Sequence, residues 1–188
     1  MGYPLLILGV ALWSGAHLFK RIAPDRRAVL GDSGKGLVAI LLILSIVMMT
    51  FGYQWATPVW LWYPPPFLIH VNNLLMVLAV YLFVASVMQT GITRRIRHPQ
   101  LTAVKTWALA HLLVKGTLEA LVLFGGLLAW AVVSVILINR AQRNWVRPGP
   151  ASAVREVGAV VIALVATVVI GYVHAWLGAW PFAGTSPF

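Results

Sequence analysis

Apolar residues in this chain fall into six long runs, about 3–19, 36–55, 68–89, 100–115, 117–139 and 157–177, separated by short polar stretches. Each approaches the ~20 residues a helix needs to cross the hydrocarbon core of a bilayer. Between Gly36 and Thr93 there is no Asp, Glu, Lys or Arg. Such a span is too long for one buried core helix and fits two crossings. The first and fourth runs are short. The fourth carries Lys105 and ends at Lys115-Gly116-Thr117, a tight turn that predicts a helical hairpin with the fifth. The pattern therefore predicts an all-α, polytopic transmembrane bundle of six spans forming a single domain over 1–188, with four or five full crossings as the alternative.

Charge sharpens that picture. Only 10% of the 188 residues are charged, against about 25% in a soluble domain. Segment 20–35 holds five basic residues, 94–97 three and 140–155 four, of 14 in the chain. Six crossings put all three segments on one side, which the positive-inside rule makes cytoplasmic, so both termini lie outside. The opposite connection, YQWATPVWLWYPPPF at 53–67, carries Trp55, Trp60, Trp62 and Tyr63, residues suited to the membrane interface. Pro64, Pro65 and Pro66 stop a helix there. The net charge of +10 would suggest nucleic acid in a soluble protein. Here it sets topology and meets anionic headgroups, so membrane lipid, not nucleic acid, is the expected partner. With no cysteine there is no disulfide, thiolate metal site or thiol nucleophile. Lys20 and Arg21 follow the first apolar run and no small-residue cleavage site does, so Tyr3–Phe19 reads as a retained span. PGPAS at 148–152 reads as a short linker.

Polar residues inside the spans are few enough to weigh singly. His17 lies near the inner end of the first run, about 24 Å below the outer face at ~1.5 Å per residue. His70, followed by Asn72 and Asn73, opens the third run, His111 sits well inside the fourth, and His174 lies near the outer end of the sixth. His98 belongs to the inner loop. Thirteen helical residues hold His98 and His111 roughly 20 Å apart on different faces, so they cannot share a metal. Depth groups His70 with His174 in the outer layer, and His17 with His111 further in. The latter two differ by roughly 10–13 Å along the membrane normal, an offset that permits two axial ligands of one haem. The competing reading is a hydrogen-bond partner or headgroup contact, strongest for His70 and His174 and weakest for the deeper His111.

Carboxylates are scarcer still. Asp25 and Asp32 sit among basic residues in a loop, and Glu156 follows Arg155 at the start of the last span, where a helix N-terminus favours an acid. Glu119, early in the fifth run, is expected to pair with Lys115, with the bundle interior as the alternative. No paired carboxylates, phosphate-binding glycine loop or HExxH zinc motif occurs.

Four blocks form a recognisable set: GAHLFKRIAPDRR at 15–27, RHPQ at 97–100, the 101–111 segment ending in WALAH, and HAWLGAWP at 174–181. Together they resemble the NnrU family of bacterial membrane proteins, which includes the domain of plant and cyanobacterial 15-cis-zeta-carotene isomerases. The resemblance implies a multi-pass protein of the bacterial inner (cytoplasmic) membrane. For the isomerase branch it implies haem b, held by a first-span histidine and the histidine of the W-x-x-A-H block, which are His17 and His111 here. The isomerases carry a cysteine three residues before that second ligand, where this chain has Ala108, which cannot ligate. The family's common N-G-D after WALAH is Lys115-Gly116-Thr117 here, without the acid.

Three functions are weighed. The first is a haem b protein with His17 and His111 on the iron and Arg97, Lys105 or Lys115 available to the propionates. Its role is redox-linked, in nitrogen-oxide metabolism or as an isomerase-like catalyst. The second is an S-adenosylmethionine-dependent membrane methyltransferase using Arg97, His98 and Glu119, because RHP also occurs in the isoprenylcysteine carboxyl type. The acid-containing C-terminal pattern of those enzymes is not evident here. The third is a non-catalytic assembly factor for a respiratory or nitrogen-oxide reductase. Oligomeric state is not legible.

Overall fold

A computed structural model describes residues 1–182, and these form seven helices and no named strand. They are α1 (Gly2–Ile22), α2 (Pro24–Val29), α3 (Ser33–Trp55), α4 (Leu68–Met88), α5 (Pro99–Val114), α6 (Leu118–Ala141) and α7 (Ala153–Trp176). A 3₁₀ turn at Gly91–Arg94 joins α4 to α5. Five of them, α1, α3, α4, α6 and α7, are long and apolar enough to cross a membrane. The fourth apolar run forms α5, which has 16 residues and is about 24 Å long, short of the ~30 Å hydrocarbon core. The protein is thus a multi-pass, all-helical membrane protein with five such helices and a shorter sixth.

The chain divides into two compact units. The first comprises Met1–Tyr63 with Lys115–Ala141, the second Pro64–Val114 with the residues from Gln142 onward. In the first, α1 and α3 run antiparallel at close range. A Cβ on Gly52 would collide with the backbone of Leu6, and one on Gly9 would stand 2.9 Å from the Met49 nitrogen. In lipid, where apolar side chains gain nothing by leaving apolar solvent, such small residues allow the backbone approach that holds helices together. Helix α6 lies along α1 in the same direction, with Gly126 against Val10 and Trp130 against Trp13 and His17. A π-helical turn at Leu121–Gly125 widens α6 just before Gly126, and Phe124 there meets the edge of Tyr53.

Pro58–Tyr63 folds onto the segment preceding α6, which pairs several of its backbone groups. Leu61 and Trp62 N–H groups donate to the Gly116 carbonyl at 2.8 and 3.1 Å, and Leu118 N–H donates to Val59 at 2.8 Å. Gly116 is required because a Cβ would overlap the Trp62 carbonyl. Lys115-Gly116-Thr117 is therefore one side of a paired loop.

In the second unit α4 packs against both α5 and α7. The contacting faces are lined by alanine: Ala79, Ala85, Ala103, Ala108, Ala110, Ala159 and Ala163 are all buried. Pro99 opens α5, where a missing N–H costs nothing. Gln89 ends α4 in the left-handed conformation at φ 52°. Because α5 turns back along α4, its last turn comes level with Asn72–Met76.

Basic residues gather at one end of each unit, as their sequence clustering leads one to expect. In the first, the parallel α1 and α6 both finish there, bringing Lys20, Arg21 and Arg140 together with the start of α3. In the second, Arg97 donates to the Gln142 carbonyl, and Arg94, Arg95 and Arg147 line one cavity.

Candidate functional site

His17 is built into an aromatic cluster of the first unit. Four residues after Trp13 it lies one turn along α1, and its Nδ1 is 3.0 Å from the Trp13 carbonyl. A carbonyl only accepts, so Nδ1 carries the proton and the ring lone pair is on Nε2. The Trp13 and Trp130 rings flank the imidazole at 4.2 and 4.7 Å between centroids. Both indole Nε1–H groups are buried with no hydrogen-bond partner among the described residues. Unpaired buried donors are uncommon and costly, and here two of them belong to the rings that flank one histidine.

His111 repeats the local arrangement in the second unit. WSGAH at 13–17 and WALAH at 107–111 share the Trp-x-x-x-His spacing. His111 Nδ1 stands 2.9 Å from the Trp107 carbonyl, and the two rings are 5.2 Å apart. Tethering one ring nitrogen to a backbone carbonyl sets tautomer and orientation, as is usual where the other nitrogen binds a metal.

A cavity of about 100 Å³ adjoins His111. His174, Asn72, Asn73 and Thr167 are polar residues on its wall, while Met76, Val80, Ile170 and Phe182 make it apolar elsewhere. His174 is tethered like the other two, Nδ1 to the Ile170 carbonyl at 2.8 Å. Asn72 donates to Asn73 Oδ1 at 3.0 Å, yet its own Oδ1 is buried without a partner among the described residues. Depth counted from span ends separates His111 from His174, but the structure puts both on one cavity. The reason is direction: α5 starts at the basic loop, so its thirteenth residue is already near the opposite end. His70 is exposed.

The other sequence candidates are dispersed. His17 belongs to the first unit and His111 to the second. Arg97 is half-buried and bound to the Gln142 carbonyl, Lys105 is half-buried on α5, and Lys115 is exposed in the paired loop. No group of three or more His, Cys, Asp or Glu side chains suited to a metal ion occurs among the described residues.

Glu119 departs from the ion-pair expectation. Among the described residues no ion pair joins Glu119 to Lys115, whereas an exposed one joins Asp32 to Lys35. Glu119 is 5% exposed, with Oε2 at 3.2 Å from the Tyr3 hydroxyl, which is also 2.9 Å from the Thr57 carbonyl. One hydroxyl proton serves one of these acceptors at a time. Lys115 loses to Tyr3 because the paired loop carries the lysine outward, while α1 delivers the phenol.

Sequence reasoning missed Trp13 and Trp130 around His17, and Asn72, Asn73 and His174 as neighbours of His111. The repeated Trp-x-x-x-His spacing was readable beforehand. Trp130 was not, because only the parallel packing of α1 and α6 brings it to the histidine.

A family model described as NnrU protein matches residues 5–181, nearly the whole chain and all four blocks quoted above. No curated protein and no solved structure matches.

Proposed function

The chain belongs to the NnrU family, and from that premise we propose that it is a haem b protein whose iron His17 and His111 would hold. The observation that carries the reading is the repeated tether. Each histidine stands four residues after a tryptophan, with Nδ1–H on that residue's carbonyl, the tautomer in which Nε2 offers its lone pair to iron. The donor set fits the group, since neutral imidazoles hold haem iron. The Trp13 and Trp130 N–H groups beside His17, without a partner among the described residues, add polar capacity to the site. Arg97, Lys105 or Lys115 is the cation available to meet the propionates. Bound haem supplies one-electron chemistry. The residues' part is to hold the imidazoles neutral and oriented, and to surround them with apolar and aromatic side chains that limit water.

The reading extends to a redox-linked role in nitrogen-oxide metabolism or isomerase-like catalysis, alongside a respiratory or nitrogen-oxide reductase. Ala108 removes the thiol that ligand switching needs. We further take α5 as a sixth crossing, with the basic ends cytoplasmic in a bacterial inner membrane and both termini outside. Its support is that α5 returns along α4 until His111 is level with Asn72 and Asn73.

Purified protein is expected to show a Soret band and sharpened α and β bands on reduction. His17→Ala and His111→Ala should each remove or shift it. A colourless protein that takes up no added haem refutes the proposal.

A further inference from the structure

At the basic end of the second unit a cavity of about 470 Å³ opens between the 3₁₀ turn and the start of α7. Arg94, Arg95, Arg147, Glu156 and Tyr81 line it. Its single carboxylate is already engaged: Glu156 Oε1 accepts the Gly91 N–H at 2.5 Å. Among the described residues no ion pair joins any of the three guanidinium groups to Glu156. Three cations thus face one cavity with one carboxylate among them, an excess of two positive charges. Guanidinium groups suit phosphate oxygens, which they bind through paired N–H donors.

Tyr81 also belongs to a second cavity of about 330 Å³ that is almost wholly apolar. Leu74, Val77 and Leu78 of α4 form one wall, and Val160 and Leu164 of α7 form the other. Ala163, 2% exposed, makes the floor, since its small side chain leaves a trough between larger neighbours. From Tyr81 back to Leu74 the trough runs about 10 Å along α4. A cationic cavity at the interface and an apolar trough within the span meet at one tyrosine, a residue suited to that boundary.

We propose that this continuous surface is a binding site for one anionic phospholipid, its phosphate among Arg94, Arg95 and Arg147 and an acyl chain in the α4–α7 trough. Charge complementarity selects an anionic headgroup, and basic pockets between membrane helices bind such headgroups. The trough selects a lipid over free phosphate, because a soluble anion leaves it unfilled.

The test is native mass spectrometry of the delipidated full-length protein in detergent, titrated with phosphatidylglycerol, phosphatidylcholine or inorganic phosphate. One phosphatidylglycerol is expected to be retained in preference to phosphatidylcholine. R94Q/R147Q should weaken that retention roughly 10- to 30-fold, at about one headgroup interaction per arginine removed, while the exposed control R26Q leaves it unchanged. V160W, which fills the trough, should weaken it as well, and millimolar phosphate should not displace the lipid. The three arginines are exposed, so the variants keep the fold, and R95Q alone serves if the double variant does not purify. Equal retention of both lipids, or retention untouched by R94Q/R147Q, overturns the proposal. Displacement by phosphate with no effect of V160W overturns the lipid in favour of a soluble anion.

Discussion

Replacing Gly52 by alanine adds one methyl group, yet it should be among the most damaging small substitutions in the chain. That methyl would overlap the Leu6 backbone, with Leu6 nitrogen, Cα and Cβ all within 3 Å of the new carbon. Ordinary contact begins near 3.4 Å, and the obstacle is backbone, so α1 and α3 must separate by roughly 1 Å. Overpacking of this kind costs about 1–3 kcal/mol, a roughly 5- to 150-fold fall in the folded-to-unfolded ratio. Gly15, with nothing within 4 Å of its would-be Cβ, is the matched control. There alanine should be neutral or stabilising by up to about 1 kcal/mol, because it only improves helix propensity. The assay is thermal or denaturant unfolding of purified protein in one detergent, followed by circular dichroism. G52A should lower the midpoint clearly and G15A should not. Equal midpoints for the two variants refute the argument that backbone proximity holds α1 to α3.

Other perturbations have definite outcomes. Tyr3→Phe and Glu119→Leu should each destabilise the protein. Their double-mutant cycle should give a coupling of about 0.5–3 kcal/mol, and additive effects would show that the 3.2 Å contact does not hold in solution. Trp13→Phe keeps an aromatic ring against His17 and deletes a buried N–H that has no partner among the described residues, so haem-free protein should be no less stable and up to about 1–3 kcal/mol more so. A large loss on denaturant titration would reveal a partner for that donor. Arg97→Ala frees the Gln142 carbonyl and should speed limited proteolysis across 142–152, and an unchanged cleavage rate would place the anchoring of that segment elsewhere. Gly116→Val should disorder the paired loop through overlap with the Trp62 carbonyl, visible as faster amide exchange at Leu61 and Leu118 and absent if the loop is held by other contacts.

Much of the architecture was legible residue by residue. The charge-free stretch from Gly36 to Thr93 became α3 and α4, and the proline run at 64–66 separates them. The fourth run, already short in the sequence, forms α5 between Pro99 and the loop at Lys115, which leaves it shorter than the other spans. His17 and His111 stood out because a polar side chain in an apolar run is conspicuous. The expected Lys115–Glu119 pair failed on a tertiary fact: a four-residue spacing favours such a pair only when both residues lie on one helix, and Lys115 precedes α6.

By itself the sequence determined the class of protein, roughly where its long apolar helices lie, and which segments between them carry the positive charge. These follow from local quantities, namely run length, proline and arginine. Which side chains meet was decided by the tertiary structure alone. Lipid and helix interior are both apolar, so these helices are hydrophobic all round and periodicity does not mark the face that packs. The Trp130 ring against His17, the Tyr3 hydroxyl on Glu119, and the cavity shared by His111 and His174 depend on helix direction and on glycine-sized or alanine-sized gaps. No single segment of the chain encodes those.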